Sequence, residues 1–198
     1  MVVHQPGAWF DEVLAGLASQ DYPNLNSVFF LTTKLTSSGA DTTDANVVAK
    51  KISEALPTAV VRIVEGNPGF GRLINELQRI VDGDKGLFCI MHDDVVLQTN
   101  TVRKLVEELF ISNAAVVGPK LMQWDKPTLL QSVGFGIDRC GEIDPFIEQN
   151  ERDQEQHDAV RDVFFVSSAC MLVRSDLFRE LNGFSQDISF FGEDLDFC

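Results

Sequence analysis

Apolar side chains recur at helical spacing over residues Ala8–Ser19, where Trp9, Phe10, Val13, Leu14 and Leu17 share one stripe. Pro23 closes that segment, because a proline cannot continue a helix. Ser27–Leu31 (SVFFL) is a nearly all-apolar run, the pattern of a strand buried on both faces. A polar loop, TTKLTSSGADTTD, leads to a helix over Ala45–Leu56, with Thr43 or Asp44 as its cap and Pro57 as its stop. The same rhythm then repeats. Ala59–Val64 reads as a strand, Glu65–Gly71 as a glycine-rich loop and Arg72–Val81 as a helix. Leu87–Met91 reads as a third buried strand, Asn100–Ser112 as an amphipathic helix and Ala114–Gly118 as a strand. Alternation of this kind implies an α/β fold with a mostly parallel sheet and helices on both faces.

Beyond Pro119 the rhythm breaks. Glu142–Asp162 carries eight acids against Arg152 and Arg161 and few large apolar residues, so it reads as an exposed excursion with His157 in solvent. Order resumes with strands at Asp162–Val166 and Ala169–Val173 and a short helix near Asp176–Leu181. The final GEDLDFC begins a helix that the sequence does not complete, which reads as a fragment of a longer protein.

Composition narrows the function. The 198 residues hold 30 acidic and 16 basic side chains, a formal charge of −14, which excludes non-specific binding to nucleic acid or anionic lipid. With 44% apolar and 23% charged residues the chain suits one globular domain, 1–198. No apolar run approaches the length of about 18 residues that spans a bilayer, and MVVHQPGAWFDEV lacks the features of a secretory leader. Cys89, Cys140, Cys170 and Cys198 form no C-x-x-C pair and read as reduced, structural thiols of a cytosolic protein.

Three constellations could carry chemistry. His92-Asp93-Asp94 follows LFCIM directly, and ligands of open α/β sheets bind beyond strand carboxyl ends. Adjacent carboxylates there repel unless a cation or hydrogen-bond donors compensate; solvated loop acids are the plainer alternative. Gly66-Asn67-Pro68-Gly69-Phe70-Gly71 precedes a helix and could present N–H groups to an anion, or serve only as a turn. Phe190-Phe191-Gly192-Glu193-Asp194 places two acids at a helix start, as simple capping or as a general base against an apolar wall. The sequence has neither a serine-hydrolase elbow nor a P-loop, and three histidines with no Cys/His grouping make a zinc site a poor reading.

In order, these pieces resemble a family 2 glycosyltransferase of the GT-A fold. WFDEVLAGLASQDYPNL resembles the family's first helix and its closing Q-x-Y-P. GNPGFGRLIN resembles its N-x-G-x-x-x-x-x-N loop through Asn67, Gly69 and Asn75, and LFCIMHDDVVL resembles the strand with its D-x-D-type motif. ACMLVRSDLFRELNGFSQDISFFGEDLDFC resembles the acceptor-side block. The resemblance implies inverting transfer from a nucleotide-diphosphate sugar to a saccharide or lipid-linked saccharide acceptor. Residues 1–118 would form the donor half and 119–198 the acceptor half. Asp94 would ligate Mn²⁺ or Mg²⁺, with His92 as a second ligand and Asp93 on the ribose or the metal. Asp194 would be the base and Glu193 its orienter, while His4, Gln5 and Pro6 would lie under the nucleotide. Thr32-Thr33 stand where the family usually has a base-reading Asp, and His92 stands at the first Asp of D-x-D; imidazole favours manganese. The implied location is the cytoplasm, at the inner membrane face through segments outside this chain. Two other readings are a GT-A-like binding or assembly module without catalysis, and a Rossmann-type oxidoreductase using the Gly66–Gly71 loop.

Overall fold

The computed structural model describes all residues except 37, 38, 42, 82–85 and 189; for 35, 36, 39–41 and 43 it describes the backbone. The chain runs β1 (Val2–Val3), α1 (Phe10–Ala18), β2 (Val28–Thr32), β3 (Lys34–Thr36), β4 (Gly39–Asp41), α2 (Thr43–Ala55) and β5 (Val60–Val64). It continues α3 (Phe70–Asn75), α4 (Leu77–Ile80), β6 (Leu87–Met91), α5 (Thr101–Ser112) and β7 (Val116–Val117). Four short strands follow, β8 (Leu121–Met122), β9 (Leu130–Ser132), β10 (Gly136–Ile137) and β11 (Ile143–Asp144). The chain closes with β12 (Cys170–Arg174), α6 (Ser175–Glu180) and α7 (Glu193–Phe197).

Strands β1, β2 and β5 pair in parallel in that order. Strand β12 lies between β6 and β7 and is antiparallel to both, with Leu172 opposite Cys89 on one side and Val117 on the other. Alternate side chains enter two separate cores. Phe29 and Leu31 of β2, Met91 of β6 and Cys170 and Leu172 of β12 pack with the buried faces of α1, α2 and α5. Phe30, Phe88 and Ile90, Met171 and Val173 pack with α3, α4, α6 and Phe197 of α7. This two-residue period puts apolar groups on both faces of each strand, so helices must cover both.

Several helices follow their sequence signals closely. Helix α5 buries Val102, Leu105, Val106 and Leu109, one stripe at helical spacing, and ends at Asn113 in the left-handed region (φ 54°). Its first turn receives help from the end of α1: Gln20 accepts the Val102 N–H through Oε1 and donates to the Gly16 and Gln98 carbonyls. Other elements differ from expectation. The polar loop after β2 contains the antiparallel pair β3–β4, and the helix expected over Arg72–Val81 is two short helices separated at Glu76. Asp162–Val166 is not a strand; Phe165 makes only an isolated bridge to Phe135. Its bridge partner lies outside the named strands, so this apolar run extends no ladder.

The acidic excursion is exposed yet pinned. Lys120 pairs with Asp153 at 2.7 Å and with Asp158, and Leu130 and Asp153 make backbone bonds to Glu151 and Thr128. His157 is not in solvent as its acidic neighbourhood suggests: its ring meets Glu151 at 3.1 Å with 13% of the side chain exposed. All four cysteines are free thiols, but only Cys89 and Cys170 occupy core positions; Cys140 and Cys198 are exposed. Cys170 shares a hydrogen bond with Cys89, which raises the Cys170 thiol well above its usual range and lowers that of Cys89. No helix among the described residues is long and apolar enough to cross a membrane.

Candidate active site

The carboxyl ends of β1, β2, β5 and β6 assemble one polar edge. Beyond β1, the His4 backbone N–H donates to Asp93 Oδ2 at 3.1 Å, joining that strand to the acid pair after β6. The His4 ring lies against Thr32 at the end of β2, with Nδ1 and Oγ1 2.6 Å apart. The Thr32 hydroxyl also bonds the Val3 carbonyl at 3.2 Å, so the ring of His4 and the end of β1 meet at one hydroxyl. The remaining ring nitrogen, Nε2, accepts from the Gln5 amide at 3.2 Å. Gln5 adopts a left-handed backbone (φ 51°). With Pro6, Thr32, Val3, Leu31 and Ala45 it borders a small pocket of about 30 Å³. This edge thus combines an apolar floor with a fixed polar rim.

The glycine-rich loop is held from β2 as well. The Gly66 N–H donates to Thr33 Oγ1 at 3.1 Å, and Asn67 Oδ1 accepts from the Gly69 N–H at 3.2 Å. Gly69 opens α3 with φ 105°, a conformation that side chains other than hydrogen resist. Asn75 has a different use from the one its place in the loop motif suggests. Its Nδ2 donates to the Phe184 carbonyl and its Oδ1 accepts from the Phe184 N–H, each at 2.8 Å. Both ends of that amide therefore clamp the segment before α7 rather than face the edge.

Burial raises the Asp93 carboxyl above its ordinary range and the Asp94 charge adds to that, while the His4 N–H opposes it. Asp94 is exposed. His92 rests its ring edge-on against Phe70, with centroids 4.7 Å apart. Its Nε2 lies 3.5 Å from the hydroxyl of Ser168. Ser168 in turn donates its hydroxyl to Glu193 Oε1 at 3.1 Å and its backbone N–H to Asp194 Oδ2 at 3.0 Å. The motif after β6 and the acid pair of α7 thus meet across one serine. Glu193 is buried, and Asp194 is half-buried. The aromatic pair before them points outward, with Phe191 92% exposed at φ 59°. Among the described residues, no three His, Cys, Asp or Glu side chains converge as a group that could hold a metal.

A family model described as "Glycosyltransferase like family 2" matches residues 5–198. The chain belongs to that family. Its fold is that of solved glycosyltransferases. Staphylococcus aureus TarS matches with a TM-score of 0.62 and 17% identity, over 99% of this chain and 31% of that one. A mannosyltransferase from Pyrobaculum calidifontis, in complex with GDP-mannose and Mn²⁺, matches with a TM-score of 0.59 and 17% identity, over 98% of this chain and 47% of that one. The family 2 chain described here therefore spans less than half the length of either structure. No curated protein matches it. Membership of family 2 also replaces the dinucleotide reading of the Gly66–Gly71 loop.

Ser168 carried no signal in the sequence beyond lying just before an apolar strand. A position three-dimensional contacts alone define has no periodicity or motif to betray it.

Proposed function

We propose that this domain transfers a sugar, with inversion, from a nucleotide-diphosphate sugar to a hydroxyl of an envelope polysaccharide or glycolipid acceptor. The observation that carries the reading is the junction at Ser168, which brings the end of β6 and the acids of α7 to one place. A displacement with inversion needs charge neutralisation behind the leaving diphosphate and a base on the face opposite it. Asp94 and Asp93, with His92 beside them, supply the first; Asp194 supplies the second, with Glu193 fixing its surroundings. His4, Gln5, Pro6 and Thr32 border the nucleotide, and Asn67 and Gly69 shape the loop nearest its phosphates.

The donor set suits a divalent cation that the substrate helps to hold. Asp93 and Asp94 offer carboxylate oxygens, burial disfavours the Asp93 charge without a cation, and no third ligand closes a cage among the described residues. Mn²⁺ or Mg²⁺ held by one or two carboxylates, with phosphate oxygens and water completing its shell, fits that arrangement. When bound, the ion would neutralise charge on the departing diphosphate. The structural relative solved with GDP-mannose and Mn²⁺ supports the same reading. The work is cytoplasmic, at the inner membrane face through segments outside this chain.

Calorimetry of full-length protein with UDP or GDP, each with and without Mn²⁺, tests this. Binding that needs Mn²⁺ and is lost in Asp94→Ala is expected; Asp194→Asn should keep that binding and stop transfer. A wild-type protein that binds neither nucleotide with Mn²⁺ removes the proposal.

A further inference from the structure

We infer that Ser168 is a positioning residue, holding the acid pair of α7 in register with the end of β6; this rests on the transferase reading above. Ser168 is 2% exposed and sits two residues before β12, the strand fixed between β6 and β7. The preceding turn is fixed too, since Ala169 accepts the His92 N–H at 3.0 Å and Ser167 Oγ accepts the Ala169 N–H at 3.2 Å. The serine is therefore held in a turn tied to the end of the sheet. Helix α7 has only five residues and belongs to no sheet. It is tied to the rest of the fold by Phe197, packed 5.3 Å from the rings of Phe178 and Phe184, and by the bonds to Ser168, among others.

The division of the serine's atoms matters. The backbone N–H fixes Asp194 Oδ2, while the Leu195 N–H takes Oδ1 at 2.9 Å, so the plane of this carboxylate is set from both sides. The hydroxyl has one proton, which goes to Glu193 Oε1, and its oxygen faces His92 Nε2. Ser168 is buried, with its backbone N–H and its hydroxyl committed to these two acids. It acts through Glu193 and Asp194, where small misplacements of a base are costly to rate and not to binding.

Ser168→Ala in full-length protein tests this, because it deletes the hydroxyl and keeps the N–H. Two measurements are made. Hydrogen exchange should quicken by about fivefold at the amides of Leu195 to Phe197, and stay unchanged in β12. Release of UDP or GDP into water from UDP-glucose, UDP-N-acetylglucosamine and GDP-mannose should lose at least about tenfold in kcat, with KM within about twofold. An unchanged kcat, a rise in KM matching the fall in kcat/KM, or exchange at α7 like that of wild type would each overturn the inference. A wild-type protein that neither binds nor cleaves these donors overturns the transferase reading instead, and this inference with it; the two failures differ in which protein fails.

Discussion

Replacing Asn75 with Ala distinguishes a donor-binding asparagine from a structural one. The side chain makes two hydrogen bonds of 2.8 Å to the backbone of Phe184, 109 residues away in sequence. Phe184 is 1% exposed, so its N–H and C=O would lose their partners in a largely dry place. A buried backbone group left unsatisfied costs about 1–3 kcal/mol. Asn75 itself is half-buried, so water reaches part of the space the truncation opens. Taking the low to middle part of that range for two groups gives a loss of about 2–4 kcal/mol. For a domain of this size each kcal/mol moves Tm by about 2–4 °C, so the fall lies between about 4 and 16 °C. Thermal unfolding followed by circular dichroism reads it, alongside calorimetry with Mn²⁺ and UDP or GDP. A variant with unchanged Tm and weakened nucleotide affinity would refute the argument. The same clamp explains Gly183, where a Cβ would stand 2.1 Å from Asn75 Oδ1 and φ is +72°.

Other expectations are as direct. The folded protein binds the Asp93 proton more tightly than the unfolded chain does, so wild-type stability falls as pH climbs from the ordinary 3.8 through the raised value. Asp93→Asn lacks that loss, and its advantage in urea denaturation should widen across this window; a gap that narrows with pH would contradict the cause assigned. Lys120→Ala leaves Asp153 and Asp158 without their shared cation. Limited proteolysis should then cut within residues 142–162 severalfold faster, while cleavage elsewhere stays the same; equal rates everywhere would show that the ion pairs do not pin the segment.

Much of the fold is legible because local periodicity and burial coincide. The stripe of α1, the VFFL core of β2 and the run of β6 each carry enough apolar residues to state both their conformation and their burial. Pairing is another matter. Nothing in CMLVR says that it inserts antiparallel between β6 and β7, because a mostly apolar strand suits either direction. Motif loci were similarly readable and motif contacts were not. The sequence places His92, Asp93 and Asp94 after a strand and Glu193 and Asp194 at a helix start, as the structure has them. It does not reveal that Asn75 serves Phe184, since an amide in a loop motif and an amide in a clamp are the same residue. His157 is not where its neighbours suggest, because their charge describes the average of a segment and one hydrogen bond with Glu151 overrides that average.

The central position of β12 also governs when the protein can acquire its shape. Its two neighbours are made some fifty or more residues earlier during synthesis, and in the fold each pairs with β12 and not with the other. A nascent chain that has emerged only as far as the excursion therefore exposes the flanks of β6 and β7 as open ladders, which are sticky. Closing that gap waits on a long-range encounter, a slow step by the entropy of the loop it encloses. Newly made chains would depend on chaperones most in that interval, and the finished domain would resist any trimming that reaches β12.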